Sequence, residues 1–164
     1  MSAQALAEGL SVMAGFQTVS FGADLERGKY YDLPAGPGLV VNIGLPTFLG
    51  FPLDVSLGQR EMNEGNTGAD TTYRWLEAGP RFLFGSKSSR VRPDFFFGVG
   101  TYDLEIGSLE FDTGAGGYAG FGFEDYTSDN FSGRFQAKGV YWKSDTFNTD
   151  AASLNFALTF GYHF

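Results

Sequence analysis

The side chains with chemistry to offer are few, and they fall in a pattern. Asp54, Glu77 and Glu124 are carboxylates, while Arg60, Arg81, Arg134 and Lys138 are cations; all seven lie in segments of alternating polar and apolar residues. A buried carboxylate with a raised pKa can serve as a general acid, which makes Glu77 and Glu124 the candidates. Three acids and four bases on one face can instead neutralise each other, each desolvation offset by partners on adjacent strands. Pairing accounts for all seven more simply than catalysis does, and Glu77, Arg81, Glu124 and Arg134 are the first partners expected. His163 is the only histidine, and cysteine is absent. Disulfides, thiolate nucleophiles and clustered His or Cys metal sites are therefore excluded. The sequence predicts no catalytic residue, no metal and no cofactor.

Positioning these charges requires strands. Successive side chains of a strand point to opposite faces. Over residues 153–164 one parity reads Leu154, Phe156, Leu158, Phe160, Tyr162, Phe164, and the other Ser153, Asn155, Ala157, Thr159, Gly161, His163. The same alternation predicts strands over residues 10–21, 39–44, 51–60, 72–84, 94–102, 118–126 and 131–142. Long polar connections follow the first, third, fifth and seventh (residues 22–37, 61–70, 103–113 and 143–150). Short returns follow the others (45–50, 85–92 and 127–130). Pro80 removes a ladder donor, so a bulge or a rim position is expected there. Eight strands joined by hairpins alone make an antiparallel meander, and an even count lets it close with both termini at one end.

The 164 residues read as one domain, 1–164, with 1–9 a flexible N-terminal segment. Ala3-Gln4-Ala5 has the small-x-small form of a signal-peptidase site, which leaves two readings of this segment open, a removed leader or a frayed terminus. The formal charge of −8 argues against nucleic acid as a partner. No run approaches the ~18–20 apolar residues of a membrane helix. The mean hydropathy of −0.12 looks soluble, but it averages two opposite faces.

Which face points outward is a question of size. An eight-stranded barrel has an interior only just wide enough for side chains. The polar parity carries the small residues (Gly15, Gly44, Gly58, Gly79, Gly98, Gly100, Gly120, Gly122, Gly161) and all seven charges, and the apolar parity carries most of the bulk. A lipocalin-like soluble barrel would have to crowd that bulk inside. An Arg or Lys facing lipid near mid-bilayer would cost about 2–4 kcal/mol. The expected fold is therefore all-β, an eight-stranded antiparallel up-and-down transmembrane barrel.

The stretches Arg92-Pro93-Asp94-Phe95-Phe96-Phe97-Gly98-Val99-Gly100 and Gly120-Phe121-Gly122-Phe123-Glu124, the turn Ser128-Asp129-Asn130 and the Phe-ended last strand carry a resemblance. The sequence resembles the small eight-stranded bacterial outer-membrane barrels: the OmpA membrane domain, OmpX, OmpW and the opacity-type proteins. The resemblance implies residence in the outer membrane with periplasmic termini. It also implies membrane lipids, lipopolysaccharide included, as neighbours, and assembly machinery that reads Leu154, Phe156, Leu158, Phe160, Tyr162 and Phe164. Some barrels of this size modify lipid A, but His163 falls at the rim opposite that substrate. A monomer with a plugged or very narrow lumen is expected, structural or surface-interactive; the alternatives are a narrow channel for small or apolar solutes and a soluble ligand-binding barrel.

The long connections hold Asp24, Glu26, Asp32, Glu61, Glu64, Asp70, Asp103, Glu105, Glu110, Asp112, Asp145 and Asp150, against Arg27, Lys29 and Lys143. Such a rim could bind divalent cations or serve only solubility. Tyr30, Tyr31, Tyr73, Tyr126, Trp142 and Tyr162 are expected in interfacial girdles. Lys87, Arg90 and Arg92 form a basic return that could meet anionic headgroups.

Overall fold

The computed structural model describes residues 10–24, 29–31, 37–48, 51–63, 70–86, 88–106, 110–144 and 150–164. Among the described residues nine strands form: β1 (Ser11–Asp24), β2 (Lys29–Tyr31), β3 (Pro37–Phe48), β4 (Phe51–Asn63), β5 (Asp70–Leu83), β6 (Val91–Ile106), β7 (Glu110–Tyr126), β8 (Phe131–Ser144) and β9 (Asp150–His163). Each long strand pairs antiparallel with its sequence neighbours from β3 through β9, and β1 pairs with both β3 and β9. The β1–β9 ladder runs from Ser11 opposite His163 to Asp24 opposite Ala151 and closes the wall. Closure gives each of the eight long strands two neighbours, which is what a barrel accomplishes for strand pairing, and the short β2 pairs with β1 outside that ring.

The eight expected strands are the eight staves of this barrel, but they run longer. Residues 22–37, expected as a loop, contain β2, whose Lys29–Tyr31 pair with Gly22–Asp24 above the β1–β3 ladder. Eight of the twelve acids placed in long connections (Asp24, Glu61, Asp70, Asp103, Glu105, Glu110, Asp112 and Asp150) sit on strand extensions instead. Glu26, Asp32, Glu64 and Asp145 lie outside the described residues, as does the segment 1–9. Pairing carries polar sequence into a strand once the ladder is nucleated, which local composition does not reveal.

Pro80 makes no bulge. The β5–β6 register is the same at Ala78 opposite Val99 and at Arg81 opposite Phe96, and the rungs between them are missing. Loss of the Pro80 N–H interrupts the ladder without shifting it. The register shifts fall elsewhere, between Val19 and Phe21 against β9 and between Leu45 and Phe48 against β4.

The apolar parity faces out. Phe16, Leu39, Leu76, Phe95, Phe97, Val99, Phe121, Phe123, Leu158 and Phe160 are exposed large hydrophobics, whereas Arg81, Arg134, Glu77 and Glu124 are among the largest fully buried side chains. On β9 the outward run from Leu154 to Phe164, at about 3.3 Å per residue and a tilt of about 40°, rises about 25 Å. Polar contacts bound this band on the outer face. Towards the long connections, Arg74 Nη1 lies 3.5 Å from Asp103 Oδ2 and Thr113 Oγ1 donates to Asp103 Oδ1 at 3.3 Å. Towards the short returns, Arg90 donates to both oxygens of Asp125 at 2.8 and 3.3 Å.

Inner glycines let staves approach. A Cβ at Gly79 would overlap the backbone carbonyl of Phe97 and Cα of Gly98. Gly79→Ala is therefore expected to cost about 1–3 kcal/mol by overpacking. Gly139, on the outer face, has no atom nearer than 4.0 Å to such a Cβ, so Gly139→Ala should be tolerated. Urea titration of refolded protein compares the two.

Candidate functional site

The site is the barrel interior, built from inward positions of consecutive staves. Nearest the short returns lies a buried charge cluster. Arg81 Nε donates to Asp94 Oδ2 at 2.8 Å, and its Nη2 pairs closely with Glu124 Oε2. Arg134 Nη1 donates to Asp54 Oδ2 at 2.6 Å, and its Nε lies 2.7 Å from Asp94 Oδ2. Asp54 Oδ2 is also 3.9 Å from Arg81 Nε. Two guanidiniums thus alternate with three carboxylates contributed by β4, β6 and β7. In a dry interior each group is tolerable because its neighbours carry the opposite sign.

Of the seven charges read from the sequence, Asp54, Arg81, Glu124 and Arg134 meet here. Glu77 and Lys138 form a separate pair at mid-height, with Tyr102 OH donating to Glu77 Oε1 at 3.1 Å. Arg60 is buried beside Gly38 on the long-connection side. Asp94 is not among the seven charges expected inside, although it shares the parity of Phe96 and Gly98 at the start of the strand expected over residues 94–102. The strand begins at Val91, which brings Arg92 onto the same inward parity as Asp94, and both are buried. The signal was present in the alternation itself.

Above mid-height the interior is aromatic. Tyr73 stacks on Tyr102 with centroids 6.3 Å apart and packs on Trp75 at 5.5 Å. Trp142 lies 5.9 Å from Tyr73 and 5.5 Å from Tyr102. Tyr73 and Trp142 are thus interior residues rather than girdle residues. Tyr126 also points inward, its ring 5.2 Å from that of His163 with the Arg92 guanidinium over it. Tyr162 does face out; the side chains of Tyr30 and Tyr31 are outside the described residues. Parity alone separated these positions, and aromatic type misled because a ring suits an interface or a core equally. The basic return also differs from expectation: Arg92 is buried, Arg90 is paired with Asp125, and Lys87 is outside the described residues.

The interior has two unlike sides. The strong cations and carboxylates reported above stand on β4 to β8. The inner faces of β9, β1 and β3 carry Ser153, Asn155, Ala157, Thr159, Ser11, Met13, Gln17, Val40 and Asn42, all buried. Asn42 Nδ2 reaches across to Gln136 Oε1 on β8 at 3.3 Å.

One cluster has the composition of a hydrolytic triad. His163 Nε2 lies 2.7 Å from Ser132 Oγ and 2.9 Å from Glu124 Oε1, and Ser132 Oγ also bonds Glu124 Oε1. A triad base uses one ring nitrogen for the nucleophile and the other for the carboxylate. Here both partners share Nε2. The serine hydrogen goes to the carboxylate, so Nε2 must carry the proton and donate, and it cannot accept the serine hydrogen. Ser132 is also completely buried. The cluster ties β7, β8 and β9 together and has no activated nucleophile. Among the described residues no group of three His, Cys, Asp or Glu side chains could hold a metal ion.

No protein-family model and no curated protein matches the chain. Solved structures do. The chain is similar to Neisserial surface protein A, with 16% identity, a TM-score of 0.72, and coverage of 93% of this chain and 97% of that one. It is similar to the attachment invasion locus protein Ail of Yersinia pestis, with 20% identity, a TM-score of 0.60, and coverage of 96% and 99%. It is similar also to the N-terminal β-barrel domain of Pseudomonas aeruginosa OprF, with 16% identity, a TM-score of 0.60, and coverage of 96% and 99%. Ail has also been solved with the heparin analogue sucrose octasulfate. At these identities the likeness speaks for architecture, and with the closed ring of eight staves it establishes that this chain has the fold of the small eight-stranded outer-membrane β-barrels.

Proposed function

We propose that the protein is a monomeric barrel of a bacterial outer membrane, with its short returns and termini periplasmic and its lumen closed to ions. It acts through its long-connection rim and is neither a channel for ions or solutes nor an enzyme. The observation that carries this reading is the buried alternation of Asp54, Arg134, Asp94, Arg81 and Glu124 across the interior. An ion entering there would have to break pairs whose members are nearly inaccessible to solvent, leaving uncompensated charge behind. A soluble ligand-binding barrel is disfavoured because the charges are inside and the large phenylalanines outside. The rim carries a strong excess of carboxylates, which keeps the connections solvated and self-repelling. It is ill suited to a polyanion of the kind solved with Ail. Membrane lipids, lipopolysaccharide among them, contact the outer band, and assembly machinery receives the β9 face from Leu154 to Phe164.

Planar-bilayer recording tests the closed lumen. The expected result is no sustained ohmic step from folded protein. A steady open level would replace this reading with that of a narrow channel.

A further inference from the structure

We infer that the neutral side of the interior holds a file of water molecules and gives the barrel a slow water permeability while ions are excluded. This inference rests on the closed-lumen reading above and adds a ligand to it. Four side chains on β1 and β9 carry a buried polar atom without a hydrogen-bond partner: Gln17 Nε2, Ser153 Oγ, Asn155 Oδ1 and Thr159 Oγ1. All four are more than nine-tenths buried. Gln17 stands opposite Ala157, between Asn155 and Thr159, so the four groups form one track along the β1–β9 ladder. Buried polar atoms are satisfied in folded proteins, by water where no protein group is in reach.

The track mixes a donor amide, an amide carbonyl and two hydroxyls, which suits a molecule that both donates and accepts. It has no formal charge, so it offers nothing to an ion stripped of its shell. Gly15, opposite Thr159, and Gly161, opposite Met13, add no side chain of their own to the track, and Met13 packs over Gly161. The four atoms are sealed from bulk solvent, so water advances as unbranched side chains such as Met13 and Gln17 change rotamer. That makes the passage slow.

Stopped-flow osmotic shrinkage of phosphatidylcholine vesicles containing the refolded protein tests this, with ion current recorded on the same preparation. Shrinkage about twofold or more faster than in protein-free vesicles, without ion current, is expected. Thr159→Val with Asn155→Leu should return it to the protein-free rate, and Thr159→Val alone, being nearly isosteric, should slow it while the barrel stays folded by its heat-modifiable gel shift. Wild-type vesicles shrinking at the protein-free rate would overturn the file, as would variants that shrink as fast as wild type. Water flow accompanied by an ohmic current and unchanged by the substitutions would overturn both the file and the closed lumen. An absence of ion current with no water flow would overturn the file alone.

Discussion

Replacing Arg81 with alanine is expected to destabilise the barrel by about 3–5 kcal/mol, the range for breaking a buried pair by removing one partner. Arg81 is 2% exposed and stands between Asp94 and Glu124, both sealed from solvent. Without it Asp94 keeps Arg134, and Glu124 keeps the uncharged Ser132 hydroxyl and His163 but loses its close guanidinium partner. The desolvated carboxylate is the source of the cost. Adding Glu124→Gln to Arg81→Ala should therefore recover part of the loss, because it removes the stranded charge. Urea unfolding in phospholipid vesicles, followed by tryptophan fluorescence, measures both. A cost under about 1 kcal/mol, typical of an exposed pair, would mean that water reaches the cluster.

The second large effect is expected on the outer face. Phe97 points outward near the middle of the apolar band, 43% exposed, with its ring 6.0 Å from Phe82 and 5.9 Å from Phe95. Phe97→Ala removes those ring contacts in any surroundings. Phe97→Arg removes them too and adds a cation, so the difference between the two variants isolates the medium outside the wall. In a bilayer that difference should be about 2–4 kcal/mol in favour of alanine. Against water it would stay within about 0.5 kcal/mol, as for ordinary surface substitutions. Paired unfolding titrations in vesicles decide between them, and a null difference would remove the membrane reading of the fold.

Much of this architecture is legible in the chain because a two-residue period is a strong signal wherever one face is apolar. The β9 alternation of Leu154, Phe156, Leu158 and Phe160 against Asn155, Ala157 and Thr159 places every side chain on its observed face. Strand ends are not legible. Asp103, Glu105, Glu110 and Asp112 look like a loop, yet β6 and β7 pair as far as Ile106 opposite Glu110. Cross-strand hydrogen bonds hold them there, and no local preference announces such bonds. Partner choice inside the barrel is equally hidden. Glu77 lies four residues before Arg81 on one stave, but its partners are Lys138 from β8 and Tyr102 from β6. Which inward groups meet across the lumen depends on strand tilt and register around the whole ring, and those are properties of the closed structure.

The division of the interior into a charged and a neutral side bears on how the ring is made. The interior Arg and Lys pairs described above all lie within β4 to β8, one run of neighbouring staves: Arg81 meets Asp94 and Asp54 on the staves beside it, and the other pairs reach across the lumen. Joining β1 to β9 is the most distant meeting in the molecule and the costliest in chain entropy. Among the described side chains, what the two bring inward are hydroxyls, amides and apolar groups, with the His163 imidazole the one titratable exception. The slowest encounter is thereby relieved of dehydrating strong ions, which is the step that would otherwise make it slower still.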